Sequence, residues 1–176
     1  LPRVVTKPLQ TPFNGPHTLP GRVQAEDYDN GGANVAYSDS TPENIGGAGR
    51  LNEAVDVRLI NGVTDIAYIP AGEWTEYTVT APATGTYTAT FRLAAIADGR
   101  QVALTVDGAP GCTVTAPNTG KYQTYQTVSA PLTLTQGTHV IRLTYVTGFV
   151  SIDWFEIASG ASTPAPTTAP TTAPIT

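Results

Sequence analysis

The chain has 176 residues with 15 Pro, 17 Gly and no Met, room for one medium domain with tails and too little for a large enzyme barrel. Charged residues make up 13%, with 9 Lys+Arg against 14 Asp+Glu, so no positive field is available to hold nucleic acid or an acidic membrane surface. The 29 Thr against two Lys and ten Leu are good material for strands and turns and poor material for helices, and an all-β protein is expected.

Nine of the fifteen prolines lie outside residues 22 to 158, so the composition marks off both flanks. Residues 1–10 are expected to be an N-terminal linker. From there Phe13, the turn Asn14-Gly15 and Leu19 predict packing against the domain, which is taken as residues 11–158. The chain opens without an initiator Met or a basic segment leading into an apolar run, which leaves room for a removed secretory signal. Along the domain the apolar period is two. In Thr86 to Leu93, Tyr87, Ala89, Phe91 and Leu93 share one face and Thr86, Thr88, Thr90 and Arg92 the other, as in a half-buried antiparallel strand. The alternation recurs in Val102, Leu104 and Val106, in His139, Ile141, Leu143 and Tyr145, and in Ser151, Asp153, Phe155 and Ile157 set against Ile152, Trp154 and Glu156. Turns at Pro82 to Gly85, Asp98-Gly99, Asp107-Gly108, Pro117 to Gly120, Gln136-Gly137 and Thr147-Gly148 separate the strands. With no amphipathic helix between them, they predict a two-sheet antiparallel β-sandwich.

Cys112 is the single cysteine, which excludes an internal disulfide and a cysteine zinc site and is expected to pack as a small hydrophobe. No run approaches the roughly 20 apolar residues that span a bilayer. The tail 159–176, SGASTPAPTTAPTTAPIT, has no charge and Pro at 164, 166, 170 and 174. It is expected to be a disordered, polyproline-like spacer. A spacer implies a covalently tethered neighbouring domain, and Thr-Pro spacers of this kind are frequent in secreted modular proteins, so an extracellular location, secreted or on the cell surface, is expected.

Five segments in order, VQAEDYDNGG (23–32), VAYSDSTPENIGGAGR (35–50), DIAYIPAGEWTEYTV (65–79), PNTGKYQTY (117–125) and SIDWFEI (151–157), together resemble family 6 of the carbohydrate-binding modules. These are β-jelly rolls appended to polysaccharide-degrading enzymes. The resemblance implies a main site among the loops at one end of the sandwich, where two aromatic rings hold a terminal sugar between them. Those positions fall on Tyr68 and on Tyr122, the latter most often Trp in the family, so a smaller stacking area and weaker binding are expected. Ser151 stands where the family usually carries Asn, which replaces a two-ended amide by a hydroxyl. Further polar contacts are expected from Ser38 or Asp39, with Glu53 and Asp56 on the same rim and Tyr37 at either rim or core. A second surface used by some members, the concave face of one sheet, matches Trp74, with Glu76 and Tyr28 as neighbours. Trp74 fits a packed position in an alternating strand better than that surface, and Trp154 is expected in the core. Gln24 and Glu26, on alternating positions of one strand, offer hard oxygens suited to Ca²⁺. The family's structural calcium would use Gln24, Glu26, Asp153 and a main-chain carbonyl near Arg50, away from the sugar loops.

Aromatic rings in loops suit the C–H face of a pyranose, and planar polar groups suit its hydroxyls. Non-catalytic binding of the end of a β-linked polysaccharide or oligosaccharide, of the β-glucan, xylan or agarose class, is therefore expected, by a monomer that brings an attached enzyme to its substrate. A structural or adhesive surface β-sandwich is the alternative. A small glycoside hydrolase is a weaker one, with Glu73 and Glu76 or Asp153 and Glu156 as carboxylate pairs.

Overall fold

The structure, a computed structural model, describes residues 9–160. In chain order the strands are β1 (His17–Thr18), β2 (Gly21–Gln24), β3 (Tyr37–Ser38), β4 (Val57–Ile60), β5 (Val63–Ile66), β6 (Trp74–Ala81), β7 (Gly85–Ala94), β8 (Gln101–Val106), β9 (Ala109–Thr115), β10 (Gln126–Leu134), β11 (Gly137–Tyr145) and β12 (Ser151–Ser159). Among the described residues there is no α-helix, and a 3₁₀ turn, Ala25–Asp27, follows β2. None of these elements is a helix long and apolar enough to cross a membrane.

The strands form two sheets, as the alternation predicts. One runs β1-β6-β11-β8-β9 with β3 also on β6, the other β10-β7-β12-β5-β4 with β2 on β12. Pairing is antiparallel except for the short β1–β6 ladder. Tyr87, Ala89, Phe91 and Leu93 turn inward from β7 and meet Tyr77, Val79, Leu104, Ile141 and Leu143 of the facing sheet. Tyr77 and Phe155 pack edge to face across the core, centroids 4.8 Å apart. Each fully buried Phe or Leu here contributes about 1.5–3 kcal/mol. Cys112 is half-buried against this core, and burial raises its thiol pKa.

β12 departs from simple alternation. Its register against β7 shifts between Ile152 and Trp154, so Asp153 is an extra, bulged residue. The bulge puts Ile152 on the core side with Phe155 and Ile157, although the period of two assigns Ile152 to the opposite face. Trp154 is not in the core as expected; it lies half-buried on the outer face, with the Arg22 guanidinium 3.6 Å from its ring centroid.

At the ends, Gln10 Nε2 donates to Asp29 (3.0 Å) and Glu76 (2.8 Å), so ordered contacts begin before residue 11. β12 runs to Ser159, and the Gly160 N–H donates to Thr86 O at 2.9 Å. Most of the expected linkers, 1–8 and 161–176, lies outside the described residues.

Candidate functional site

At one end of the sandwich, the β5–β6, β9–β10 and β11–β12 connections converge on a cleft of about 240 Å³. It is lined by Arg58, Ala67, Tyr68, Tyr122, Phe149, Val150 and Ser151. Two of its aromatic residues sit in the left-handed region, Tyr68 at φ +56° and Phe149 at φ +53°. Their loops are clamped together: the Phe149 N–H donates to Ile69 O at 2.7 Å. Gly148, at φ +62°, lies so close that a Cβ there would come 2.5 Å from Ala71 N. Glycine is required at that position by both its conformation and the approach of the backbones. The clamp leaves Tyr68 and Phe149 each 53% exposed.

The floor is polar and buried. Arg58, from β4, is 8% exposed, and Asp65, from β5, is wholly buried. Arg58 Nε donates to Asp65 Oδ1 (3.1 Å) and Nη2 to Oδ2 (2.6 Å). Nη2 also reaches Tyr122 O and Ser151 Oγ, both at 3.3 Å. Tyr125 Oη donates to Asp65 Oδ2 at 2.7 Å. Burial works to lower the Arg58 pKa, but the hydrogen bond and charge of Asp65 carry it above the ordinary value. Burial and then the Asp65 carboxylate push the Tyr125 phenol up.

Of the residues singled out from sequence, Tyr68, Tyr122 and Ser151 come together in this cleft. Ser151 is almost fully buried and spends a lone pair on Arg58. Ser38 and Asp39 do not line the cleft. They border a crevice of only about 10 Å³ beside Glu73 and Trp74, and Asp39 Oδ1 accepts from Thr41 N and Oγ1, both at 2.8 Å. Tyr37 is a core residue, packed edge-on against Tyr28 at 5.5 Å, because the chain turns inward at β3. Glu53 pairs with Arg50 at 2.8 Å. Asp56 is buried, accepts from Ile45 N at 2.6 Å, and is pushed up to about 6 by desolvation.

The second surface is differently built than expected. Tyr28 is fully buried and offers no surface. The Trp74 ring carries the Arg142 guanidinium 3.8 Å from its centroid, and Arg142 is held by Glu76 at 2.7 Å.

The expected metal residues are spread over three elements. β2 ends at Gln24, which is exposed, and Glu26 lies in the 3₁₀ turn, so the two do not share a strand. Glu26 Oε2 is buried without a partner, and desolvation first, then the charges of Asp27, Asp153 and Asp65, raise its pKa to about 7. Asp153 is ion-paired with Arg92. Arg50 O accepts from Glu53 N at 3.1 Å, while the Arg50 side chain donates to Tyr28 O and Asp29 O. No group of three or more His, Cys, Asp or Glu forms a metal cluster among the described residues. The 3₁₀ turn that carries Glu26 packs against β5 and β12, the strands that also carry Asp65 and Ser151.

Sequence reasoning missed Arg58 and Phe149. Phe149 was accessible to the same criterion that selected Tyr68, an aromatic in a turn. For Arg58 the signal was a lone cation in the apolar run VDVRLI with an acid seven residues on.

A model of the family described as carbohydrate binding module (family 6) matches residues 24–159. The chain is 30% identical over 110 residues to the beta-agarase AgaO of Microbulbifer thermotolerans, covering 62% of this chain and 8% of that enzyme. It is 38% identical over 71 residues to the beta-agarase AgaA of the same organism, covering 40% of this chain and 16% of the enzyme. The chain thus spans a small part of the curated relatives it matches. Among solved structures, a module from Clostridium stercorarium, determined in complex with cellobiose, superposes with a TM-score of 0.65 at 24% identity, covering 84% of this chain and 100% of that one.

Proposed function

Since the chain belongs to family 6 of the carbohydrate-binding modules, we propose that the Tyr68–Tyr122 cleft takes the terminal sugar of a β-linked polysaccharide between its aromatic rings and so holds an attached enzyme at its substrate. The observation that carries this is the convergence of Tyr68, Tyr122 and Phe149 around a buried polar floor. Apolar ring faces meet the C–H face of a pyranose, and the floor meets its oxygens. One sugar has about a dozen heavy atoms, so at ~0.3–0.5 kcal/mol per atom binding falls between about millimolar and tens of micromolar. Tethering makes such affinity useful. Agarose is the first polysaccharide to test, because two curated relatives are beta-agarases; β-glucan and xylan follow.

The module itself is proposed to be non-catalytic. No carboxylate lines the cleft, and the paired acids seen in the sequence are otherwise engaged: Glu73 by Ser40, Glu76 and Glu156 by Arg142 and Arg22, and Asp153 by Arg92. Secretion, a covalently linked neighbour and action as a monomer belong to the same proposal.

We also propose a structural Ca²⁺ held by Glu26 and Asp153 with Gln24 and the Arg50 carbonyl. The orphaned buried oxygen of Glu26 beside a second carboxylate fits a hard cation. Such an ion would supply charge compensation and no chemistry.

Affinity electrophoresis through gels containing agarose, β-glucan or xylan tests the site. Tyr68→Ala and Tyr122→Ala are each expected to weaken retardation about tenfold or more, since a lost stacking partner is worth about 1–1.5 kcal/mol or above. Trp74→Ala is expected to leave it unchanged; the reverse pattern would move the site to the sheet face.

A further inference from the structure

The cleft contains one charged side chain, and its orientation is fixed. Arg58 spends Nε and Nη2 on Asp65, Tyr122 O and Ser151 Oγ. Among the described residues no hydrogen bond from Nη1 has good geometry, although the Tyr68 phenol is near enough to help raise the Arg58 pKa, and Arg58 lines the cleft. Ser151 is too short and too buried to reach a ligand as an amide would. No Asn, Gln, Asp or Glu side chain replaces it on the lining.

We propose that Arg58 is the specificity-determining donor of the cleft, and that its Nη1 hydrogen-bonds an acceptor oxygen of a neutral terminal sugar. The proposal rests on the cleft being the sugar site. A guanidinium already held by a bidentate carboxylate loses little freedom when it gains one more bond. The same pairing settles which ligand it suits. Asp65 neutralises Arg58 at 2.6 Å within a buried floor, so an added ligand carboxylate would be stripped of water without an unpaired cation to meet it. Residues 22–158 carry 7 basic against 14 acidic side chains, which also disfavours a polyanionic chain. A hydroxyl or ether oxygen, which needs only a donor, fits the free corner. Through its bond to Tyr122 O, Arg58 additionally positions the stacking loop.

The test titrates wild type, Arg58→Lys and the paired variant Arg58→Met/Asp65→Asn with neoagarotetraose, cellotetraose, xylotetraose and tetragalacturonate, after melting curves establish which variants fold. The paired substitution removes both buried charges at once, so neither is left uncompensated. Relative to wild type, the paired variant is expected to bind the preferred neutral tetrasaccharide about tenfold to a hundredfold more weakly, the loss of one hydrogen bond from a charged donor. Arg58→Lys, which cannot hold Asp65 and reach the ligand together, is expected to lose about tenfold. Unchanged affinity in the folded paired variant overturns the proposal; if that variant does not fold, unchanged affinity in Arg58→Lys does so. Tighter wild-type binding of tetragalacturonate than of every neutral sugar also overturns it. Tyr68→Ala and Tyr122→Ala separate the two levels. If they abolish binding while the Arg58 variants do not, the cleft stands and the role of Arg58 falls; if they too change nothing, the cleft is not the sugar site.

Discussion

Tyr68 shows what an exposed ring at the mouth of the cleft costs the fold. Its φ of +56° lies in the region that disfavours side chains, a strain of about 1–3 kcal/mol for a bulky residue. With the residue 53% exposed, burial returns little of that. The conformation persists because the neighbouring chain is pinned, Phe149 N–H to Ile69 O on one side and Ala67 N–H to Asp56 O (3.0 Å) on the other. Glycine adopts the same φ without strain. Tyr68→Gly is therefore expected to hold or raise thermal stability, by up to about 1 kcal/mol, while carbohydrate binding drops as far as in Tyr68→Ala. A melting curve and an affinity gel on the same sample check both halves; a marked fall in melting temperature would mean that the ring is structural.

At the scale of elements, the connections decide the site. The β5–β6 and β11–β12 loops touch through Gly148, where any Cβ would strike the Ile69–Ala71 backbone. Gly148→Ala is expected to cost about 2 kcal/mol or more, from positive φ plus the forced shift, and to weaken sugar binding by splaying Tyr68 from Phe149. Chemical denaturation and affinity gels measure the two effects. At the opposite end the β8–β9 turn is fastened to β11. His139 Nδ1 lies 2.7 Å from Asp107, and Nε2 2.8 Å from Thr135 O. Both ring nitrogens therefore face acceptors. The Asp107 hydrogen bond chiefly raises the His139 pKa above 6.5; burial pulls the other way for Asp107, but His139 and Val140 N–H lower it below 3.8. The raised histidine stabilises fully below pH 6.5 and loses that contribution as pH rises through its folded pKa. The lowered aspartate stabilises above pH 3.8 and loses its share as pH falls. Asp107 is about half exposed, so the pair contributes about 1 kcal/mol between those limits. His139→Gln is expected to lower the melting temperature at pH 5.5 and to matter much less at pH 8.5; equal losses at both would sink the clasp. The strands themselves were legible, because a half-buried strand must alternate. The β12 bulge was not: one inserted residue leaves composition unchanged and shows only when Ile152 and Phe155 both prove buried. Tyr68 and Tyr122 were legible through segment resemblance. Arg58 escaped because its meaning comes from Asp65 and Ser151, brought beside it by two different strand pairings.

For the whole molecule, the question is what fastens the beginning of the domain to its end. β2 lies on β12, with Gln24 opposite Trp154 and Arg22 opposite Glu156, so the second strand and the last are neighbours in one sheet. Arg22 and Glu156 are both partly exposed and their 3.1 Å ion pair adds little. The stronger potential link lies one step inward, where half-buried Glu26, with its buried Oε2, and bulged Asp153 bring like charges together. The sole counter-charge on Asp153 in the described residues is Arg92, whose guanidinium at the same time lies 4.5 Å from the Tyr125 ring centroid. A divalent ion would replace repulsion by attraction between the 3₁₀ turn after β2 and the last strand. By mass action, an ion present at a hundred times its dissociation constant stabilises by about 2.7 kcal/mol. For a domain of this size that is about 5–10 °C in melting temperature. Removing calcium with a chelator is expected to lower the transition by that order, and added CaCl₂ to restore it where MgCl₂ does not. Glu26→Gln is expected to make the protein indifferent to both, since it removes the repulsion and a ligand together. An identical melting temperature with chelator and with calcium would leave the orphaned Glu26 oxygen as an unrelieved strain in the fold, and the clasp between the chain ends would then rest on the β2–β12 ladder alone.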